Sequence, residues 1–512
     1  MHNTSWIAFP LVTISIAVGM QTAGCFSNSV EECQDARECA TGAGGGGTTT
    51  NSGGAGGTIT PPGCVPSDTK DMAPVENECG VFVSPAGNDD SNDGTKEKPF
   101  ATLGKAIVAA GDDKKIVYAC AQKFTEAVEV PGGIQIYGGL DCTTDWKYVD
   151  GQKTTIASGA GLVPLRLLAG SGIRLEDVAL IAADAVEPGG SSIAAIADGA
   201  TVDFERCDFT AGSGMPGSNG DPSPAAMAKP ESGNLGGNAC SDPTQVNGGL
   251  PKANPDCTDA VGGSGGIGVL AGNGGGGNPG SPDGAANGGA GESIPACMPG
   301  QPGTSGMPGE PGAAGTEPGS LTSAGYTGAN GGNGNPGTVA QGGGGGGGAR
   351  GGAICTAALM PGAGASGGSG GPGGCGGLGG QGGKAGGASI ALVTLDAVVT
   401  LTDVTLTAVA GGTGGDGAIG QSGQAGGDGA NGGMVSGFGT SKAGCRGGDG
   451  AQGGDGGQGG GGRGGHSISI AHRGAAPTPD RVTYMRAAAG APGGIGGNPG
   501  AAGEAKDVVS FP

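Results

Sequence analysis

Four stretches of this chain share the pattern apolar-x-apolar-x-x-apolar-x-apolar: Ile173-Leu175-Val178-Leu180, Val202-Phe204-Cys207-Phe209, Val399-Leu401-Val404-Leu406 and Val482-Tyr484-Ala487-Ala489. Period-two alternation sends one face of each stretch into a core, and the two-residue skip marks a corner between strands. Ser192-Ile-Ala-Ala-Ile, Ser389-Ile-Ala-Leu-Val and Ser467-Ile-Ser-Ile precede the last three copies as partner strands. Alternation predicts strands at Lys115–Cys120, Glu126–Val130, Ile134–Tyr137, Thr154–Ala157, Pro164–Ala169, Ile173–Ile181, Ser192–Ile196 and Thr201–Thr210. Equivalent strands fall roughly 20 to 28 residues apart, which suits one solenoid coil per repeat.

Between these strands glycine recurs at every third position, from Gly411 to Gly432 and from Gly447 to Gly465. That spacing matches the three-residue turn of polyproline II and lines the glycines along one edge. Such segments can pack edge to edge with N–H and C=O groups bonding between them. Against this, Gly, Ala, Asp, Gln and Asn at the intervening positions make ordering entropically costly, which favours mobile loops. Gly300–Gly315 is collagen-like, but short for a triple helix. Ala211–Ala388 and Ala408–His466 read as insertions between consecutive coils, all leaving one side of the solenoid, so Val202 should stack on Val399. The second corner residues are then Asp177, Arg206, Asp403 and Arg486, an alternating ladder down one edge. It reads as a column of solvated ion pairs, each worth about 0–1 kcal/mol; the sharper reading is a groove for a sugar acid.

Gly 127, Pro 33 and 3% aromatic residues in 512 argue against several compact cores. A net charge of −21 makes nucleic acid a poor partner. Trp6 to Met20 is apolar but too short for a stable membrane span, and it leads to Thr22-Ala23-Gly24-Cys25. This resembles the lipobox of bacterial lipoproteins, with Thr22 where Leu is usual and no Lys or Arg before the apolar run. The resemblance implies lipid attachment at Cys25 and contact with membrane through that anchor only; Phe26 resembles the pattern sorted to the outer membrane. Plain secretion is the alternative. The chain has 14 cysteines, which in an exported protein point to disulfides. Near-sequence candidates include Cys33–Cys39, Cys64–Cys79, Cys120–Cys142 and Cys355–Cys375, with connectivity left open by the sequence.

Val81-Phe82-Val83 is followed by a turn rich in Asp and Gly, then by a helix over Thr102 to Ala110 with Leu103, Ile107 and Ala110 on one face. Gly87, Asp89, Gly94, Thr95, Pro99, Phe100, Thr102, Leu103 and Ala106 match the N-terminal entry of right-handed parallel β-helix proteins of the pectate-lyase-like superfold. The resemblance covers about Val81–Gly212 and implies an all-β solenoid with an N-terminal capping helix. In composition, the glycine-rich insertions resemble the PGRS-type surface proteins of mycobacteria.

Asp89-Asp-Ser-Asn-Asp-Gly94 reads first as a turn and second as a calcium loop that lacks its closing Glu. No cofactor is otherwise called for. Polysaccharide-cleaving enzymes need paired carboxylates, and Glu176, Asp177, Asp203 and Glu205 are the available ones. The expected organisation is a signal and lipobox (1–25), a Gly/Thr-rich flexible tether (26–78), N-terminal coils (79–210), an insertion (211–388), a coil (389–407), a second insertion (408–466) and a last coil with tail (467–512). The leading function is a non-enzymatic surface protein, structural or adhesive, displaying a rod with mobile acidic loops and contacting extracellular polysaccharide or cell-envelope components. The alternative is a polysaccharide lyase or glycoside hydrolase using Asp/Glu on the coil faces.

Overall fold

The computed structural model describes residues 60–512, except 61–62, 70–72, 113–114, 283–285, 294–295, 356–359, 436–441 and 495–497. Cys25, Cys33 and Cys39 lie outside the described residues. Three parallel sheets wind round one core. Sheet A stacks Val81–Val83, Ile116–Cys120, Gln135–Asp141, Gly170–Glu176, Ala200–Glu205, Val398–Thr402 and Thr478–Asp480. Sheet B stacks Lys123–Thr125, Thr154–Ala157, Val178–Ile181, Asp208–Thr210, Thr405–Ala408 and Thr483–Arg486. Sheet C stacks Val128–Val130, Leu165–Leu167, Ser192–Asp198, Ser389–Leu395, Ser467–Arg473 and Ala505–Ser510. The chain visits A, B and C once per coil, giving a right-handed parallel β-helix.

Like side chains stack in columns. Ile173, Val202 and Val399 are in register, as are Leu175, Phe204 and Leu401, and Leu180, Phe209 and Leu406; all are buried. Cys207 joins this core as a small apolar residue, with burial pushing its thiol up to about 12. The corner between A and B is made by Asp177, Arg206, Asp403 and Arg481, with φ of 54°, 52°, 54° and 53°. The fourth copy of the repeat therefore differs from the expected one. Thr478 pairs with Thr400 and Tyr484 with Leu406, so the positions in register with the earlier coils' core are Pro477, Pro479, Val482 and Tyr484, of which Pro479 is exposed on this last coil. Proline cannot donate to a ladder and is tolerated on a sheet's last strand, which hid the strand from an apolar pattern. Arg481, not Arg486, completes the ladder; Arg486 pairs with Asp507.

The helix α1 (Leu103–Asp112) plugs one end of the core with Leu103, Ala106, Ile107 and Ala110. Its N-terminus is held by the Glu126 carboxylate, which accepts the N–H of Leu103 at 2.8 Å and of Gly104 at 3.1 Å. The Asp89–Gly94 oxygens serve the turn: Asp89 accepts from Ala101 at 2.7 Å and from the Thr102 hydroxyl at 2.7 Å, and Asp93 accepts from the Thr95 hydroxyl at 2.8 Å. Folded structure reaches back past Cys79, into residues expected to be tether. The Tyr118 hydroxyl donates to Cys64 O at 2.6 Å, Val75 is buried, and Cys64–Cys79 closes the segment.

Every long insertion leaves the corner between B and C, and the glycine runs are ordered instead of mobile. Hydrogen bonds advance in steps of three: Gly368, Gly371, Gly374, Gly377, Gly380 and Gly383 donate to the carbonyls of Cys445, Gly448, Ala451, Gly454, Gly457 and Gly460. This is the period of polyproline II. At the centre, Gly342–Gly348 is surrounded. It donates to segments at Gly275–Ser281, Met298–Gln301 and Gly368–Gly371, and it accepts from Gly263 and Gly266, from Gly289 and Glu292, and from Cys445 and Gly448. Six neighbours leave no room for side chains. A Cβ on Gly345 would lie 1.9 Å from Ser264 O. The slab is stapled by Cys240–Cys355, Cys257–Cys375 and Cys297–Cys445. The expected Cys355–Cys375 pair is thus replaced by bonds between distant segments, because packing and not chain proximity sets the neighbours. Cys64–Cys79 and Cys120–Cys142 form as expected.

Candidate functional site

Outward-facing residues of sheet A form two rows. One runs Phe82, Tyr118, Tyr137, Glu176, Glu205, Thr402, Asp480; the other runs Gln135, Arg174, Asp203, Thr400, Thr478. The aromatic end is covered by the segment around Cys64 and Val75, with Trp146 and Tyr148 filling the remaining space. Beyond it the face turns charged.

Glu176 is only 1% exposed and accepts from Arg174 Nε, from Arg206 Nη2 at 2.7 Å and from the Ser67 hydroxyl at 3.3 Å. Arg206 also holds Asp177, with Nε–Oδ1 of 3.1 Å and Nη2–Oδ2 of 2.9 Å. Glu205 bridges the two arginines, taking Arg174 Nη2 at 2.6 Å and Arg206 Nη1. Burial raises the Glu176 and Asp177 carboxyls above their ordinary values, with the guanidiniums pulling the other way. Burial works against the Arg206 charge, but Asp177, Glu176 and Glu205 outweigh it and raise its pKa. The ladder continues with Arg481 clamping Asp403, Nε–Oδ1 2.6 Å and Nη2–Oδ2 2.8 Å.

Asp203 and Glu205 share this face, as alternation requires. Asp203 is exposed, and no ion pair among the described residues involves it. Glu205 is engaged by both guanidiniums. The face therefore offers one free carboxylate beside a neutralised cluster, and not two free carboxylates flanking a common volume. Sequence reasoning missed Arg174, although it occupies the same outward position as Asp203 one coil earlier and the period-two rule would have found it. Elsewhere, an open cleft of about 540 Å³ on the slab is lined by Asn219, Pro222, Pro224, Asp416 and Ile419, among others. Among the described residues no group of three or more His, Cys, Asp or Glu is placed to hold a metal.

No family model and no curated protein matches the chain. Among solved structures it is similar to the pectin methylesterase from Aspergillus niger in deglycosylated form, at 15% identity and a TM-score of 0.20, over 28% of this chain and 46% of that one. It is also similar to pectin methylesterase from carrot, at 17% identity and a TM-score of 0.16, over 30% of this chain and 56% of that one. The chain spans about half the length of these structures, 46% and 56%.

Proposed function

We propose that the protein is an exported, non-enzymatic structural or adhesive element of the cell surface, a β-helix bearing a rigid glycine slab. The observation that carries this reading is the neutralisation of Glu176, Asp177 and Glu205 by Arg174 and Arg206. Groups locked in such pairs stabilise a scaffold and are poorly placed to exchange protons with a substrate. Five disulfides among the described residues fit an oxidising compartment. Within this reading a lipid on Cys25 tethers the chain to the outer membrane, facing outward, and its partners are extracellular polysaccharide or envelope components.

The second reading is a carbohydrate-active enzyme, favoured by the exposed Asp203 between Arg174 and Thr400. The deciding experiment incubates a soluble form beginning at Phe26 with acidic and neutral polysaccharides, with and without calcium. Binding by co-sedimentation without cleavage is expected. Cleavage lost in Asp203→Asn and Glu205→Gln variants would establish the enzyme and end the scaffold reading.

A further inference from the structure

One edge of the slab carries an unfilled position. Segment 411–433 donates Gly411 N–H to Ala488 O at 3.2 Å and Gly414 N–H to Ala491 O at 2.9 Å. Segment 488–493 in turn donates Gly490 N–H to Gly465 O at 2.8 Å and Gly493 N–H to Gly462 O at 3.0 Å. It lies in a groove whose walls are 411–433 and 444–465. At Gly494, with φ of 109°, the chain turns out of the groove.

Both walls continue past that point in the same three-residue register. One presents the N–H groups of Gly417, Gly420 and Gly426, which bond to no group among the described residues. The other presents the carbonyls of Gly450, Gly453, Gly456 and Gly459, which accept from none. The intervening donors, Gly423 and Gly429, are met by side chains from across the groove, Asp455 Oδ1 at 2.8 Å and Asp449 Oδ1 at 2.8 Å. These carboxylates stand where the carbonyls of a further strand would stand.

We propose that this groove docks a glycine-triplet polyproline II segment supplied by another chain. The inference is independent of the reading of sheet A. The occupant's chemistry follows from the segment already seated at the groove's mouth, Gly490-Ala491-Pro492-Gly493. Glycine is required at every third position, because a Cβ on Gly490 would lie 1.8 Å from Gly412 O and one on Gly493 would lie 1.9 Å from Gly415 O. Proline is accepted between, since only the glycine N–H faces a wall. The guest would give its glycine N–H groups to Gly450–Gly459 and take those of Gly417–Gly426, an edge addition of the kind open sheet edges undergo. Asp416, Asp449 and Asp455 border the groove, so a guest with Lys between its glycines should bind better than one with Glu.

The test titrates the full chain into a labelled peptide of repeated Gly-Ala-Pro triplets, with a shuffled peptide of equal composition as control. Saturable binding about tenfold tighter than the control is expected, with hydrogen exchange slowed at 417–426. The Lys-bearing peptide should bind more tightly, in a salt-sensitive way. The double change Asp449→Ala and Asp455→Ala, checked by its thermal melt, should strengthen binding of the neutral peptide by freeing Gly423 and Gly429. The proposal fails if the shuffled peptide binds equally, if protection falls outside 411–465, or if millimolar peptide leaves the anisotropy unchanged. It fails also if 417–426 is protected without peptide because two copies associate through this face.

Discussion

The β-helix and the glycine slab are held together by opposite means. In the β-helix, columns such as Leu175, Phe204 and Leu401 bury large side chains, each worth about 1.5–3 kcal/mol of transfer free energy. In the slab there are almost no side chains to bury. Its order rests on backbone groups that meet one another on six sides and on close approach that any Cβ would forbid. Chain ordering costs most where residues are glycine, so the slab needs its disulfides and its near-complete hydrogen bonding. Volume lost from a core and volume added to a lattice should therefore be the damaging changes, each in its own region.

The largest effect is expected from Gly345→Ala at the slab centre. Its Cβ meets backbone on a fixed neighbour, which places the loss above about 4–5 kcal/mol. Hydrogen exchange should show slab amides losing protection while the coils from Val81 to Thr210 keep theirs. In the β-helix core the damaging change runs the other way, by loss of volume: Leu401→Ala should cost about 2–5 kcal/mol through a cavity. An unchanged melt for Gly345→Ala would break the comparison. Next comes Arg206→Met, which strips the buried Asp177 of its guanidinium and leaves Glu176 with Arg174 alone, and should cost about 3–5 kcal/mol, read by denaturant unfolding at neutral pH.

A smaller effect belongs to the junction of the two regions. His466 accepts the Glu504 N–H at Nδ1, 3.0 Å, and donates from Nε2 to Pro318 O, 2.9 Å, so it is held neutral between Tyr326 and Phe511. Burial lowers its pKa below the ordinary 6.5, helped by Arg463 and Lys506 and opposed by Glu504 and the Pro318 bond. The unfolded chain therefore takes up a proton that the folded chain refuses. Stability contributed here is full above 6.5 and declines as pH falls below it. Melting should show this slope between neutral and mildly acid pH, and His466→Gln should flatten it. The smallest effect is Asp403→Asn, which removes an exposed pair with Arg481 and should cost about 0–1 kcal/mol; a larger loss on thermal unfolding would give the ladder a role beyond solvation.

The two regions were also unequally legible. Alternation placed Val202 against Val399 across the long insertion, and Ser192 against Ser389 and Ser467, as the register has them. A strict core face leaves only one register open. Where Pro477 and Pro479 replaced the aliphatic pair, the same rule picked a register displaced toward the C-terminus, and Arg486 was named in place of Arg481. In the slab the period was visible but the neighbours were not, since glycine carries no side chain to specify a partner. The expected Cys355–Cys375 pair failed for the same reason. The charged face was half legible: Asp203, Glu205, Glu176 and Asp177 were evident as carboxylates, but their neutralisation by Arg174 and Arg206 depends on stacking of successive coils.

The three-residue rows of the slab impose a counting rule on change in chain length. Gly217 and Gly220 pair with Thr413 and Asp416, but Gly233 and Gly236 pair with Asp428 and Asn431, so one residue is gained between them. The chain absorbs it where Ser223–Pro230 carries no glycine and Gln421 and Gln424 reach across to Ala225 and Ala228. Within an uninterrupted row no such slack exists. Lengthening or shortening by a multiple of three keeps glycine against its neighbours, whereas any other number drives a side chain into backbone. Relatives of this chain should differ in insertion length by whole triplets, with odd residues confined to the proline-rich bends.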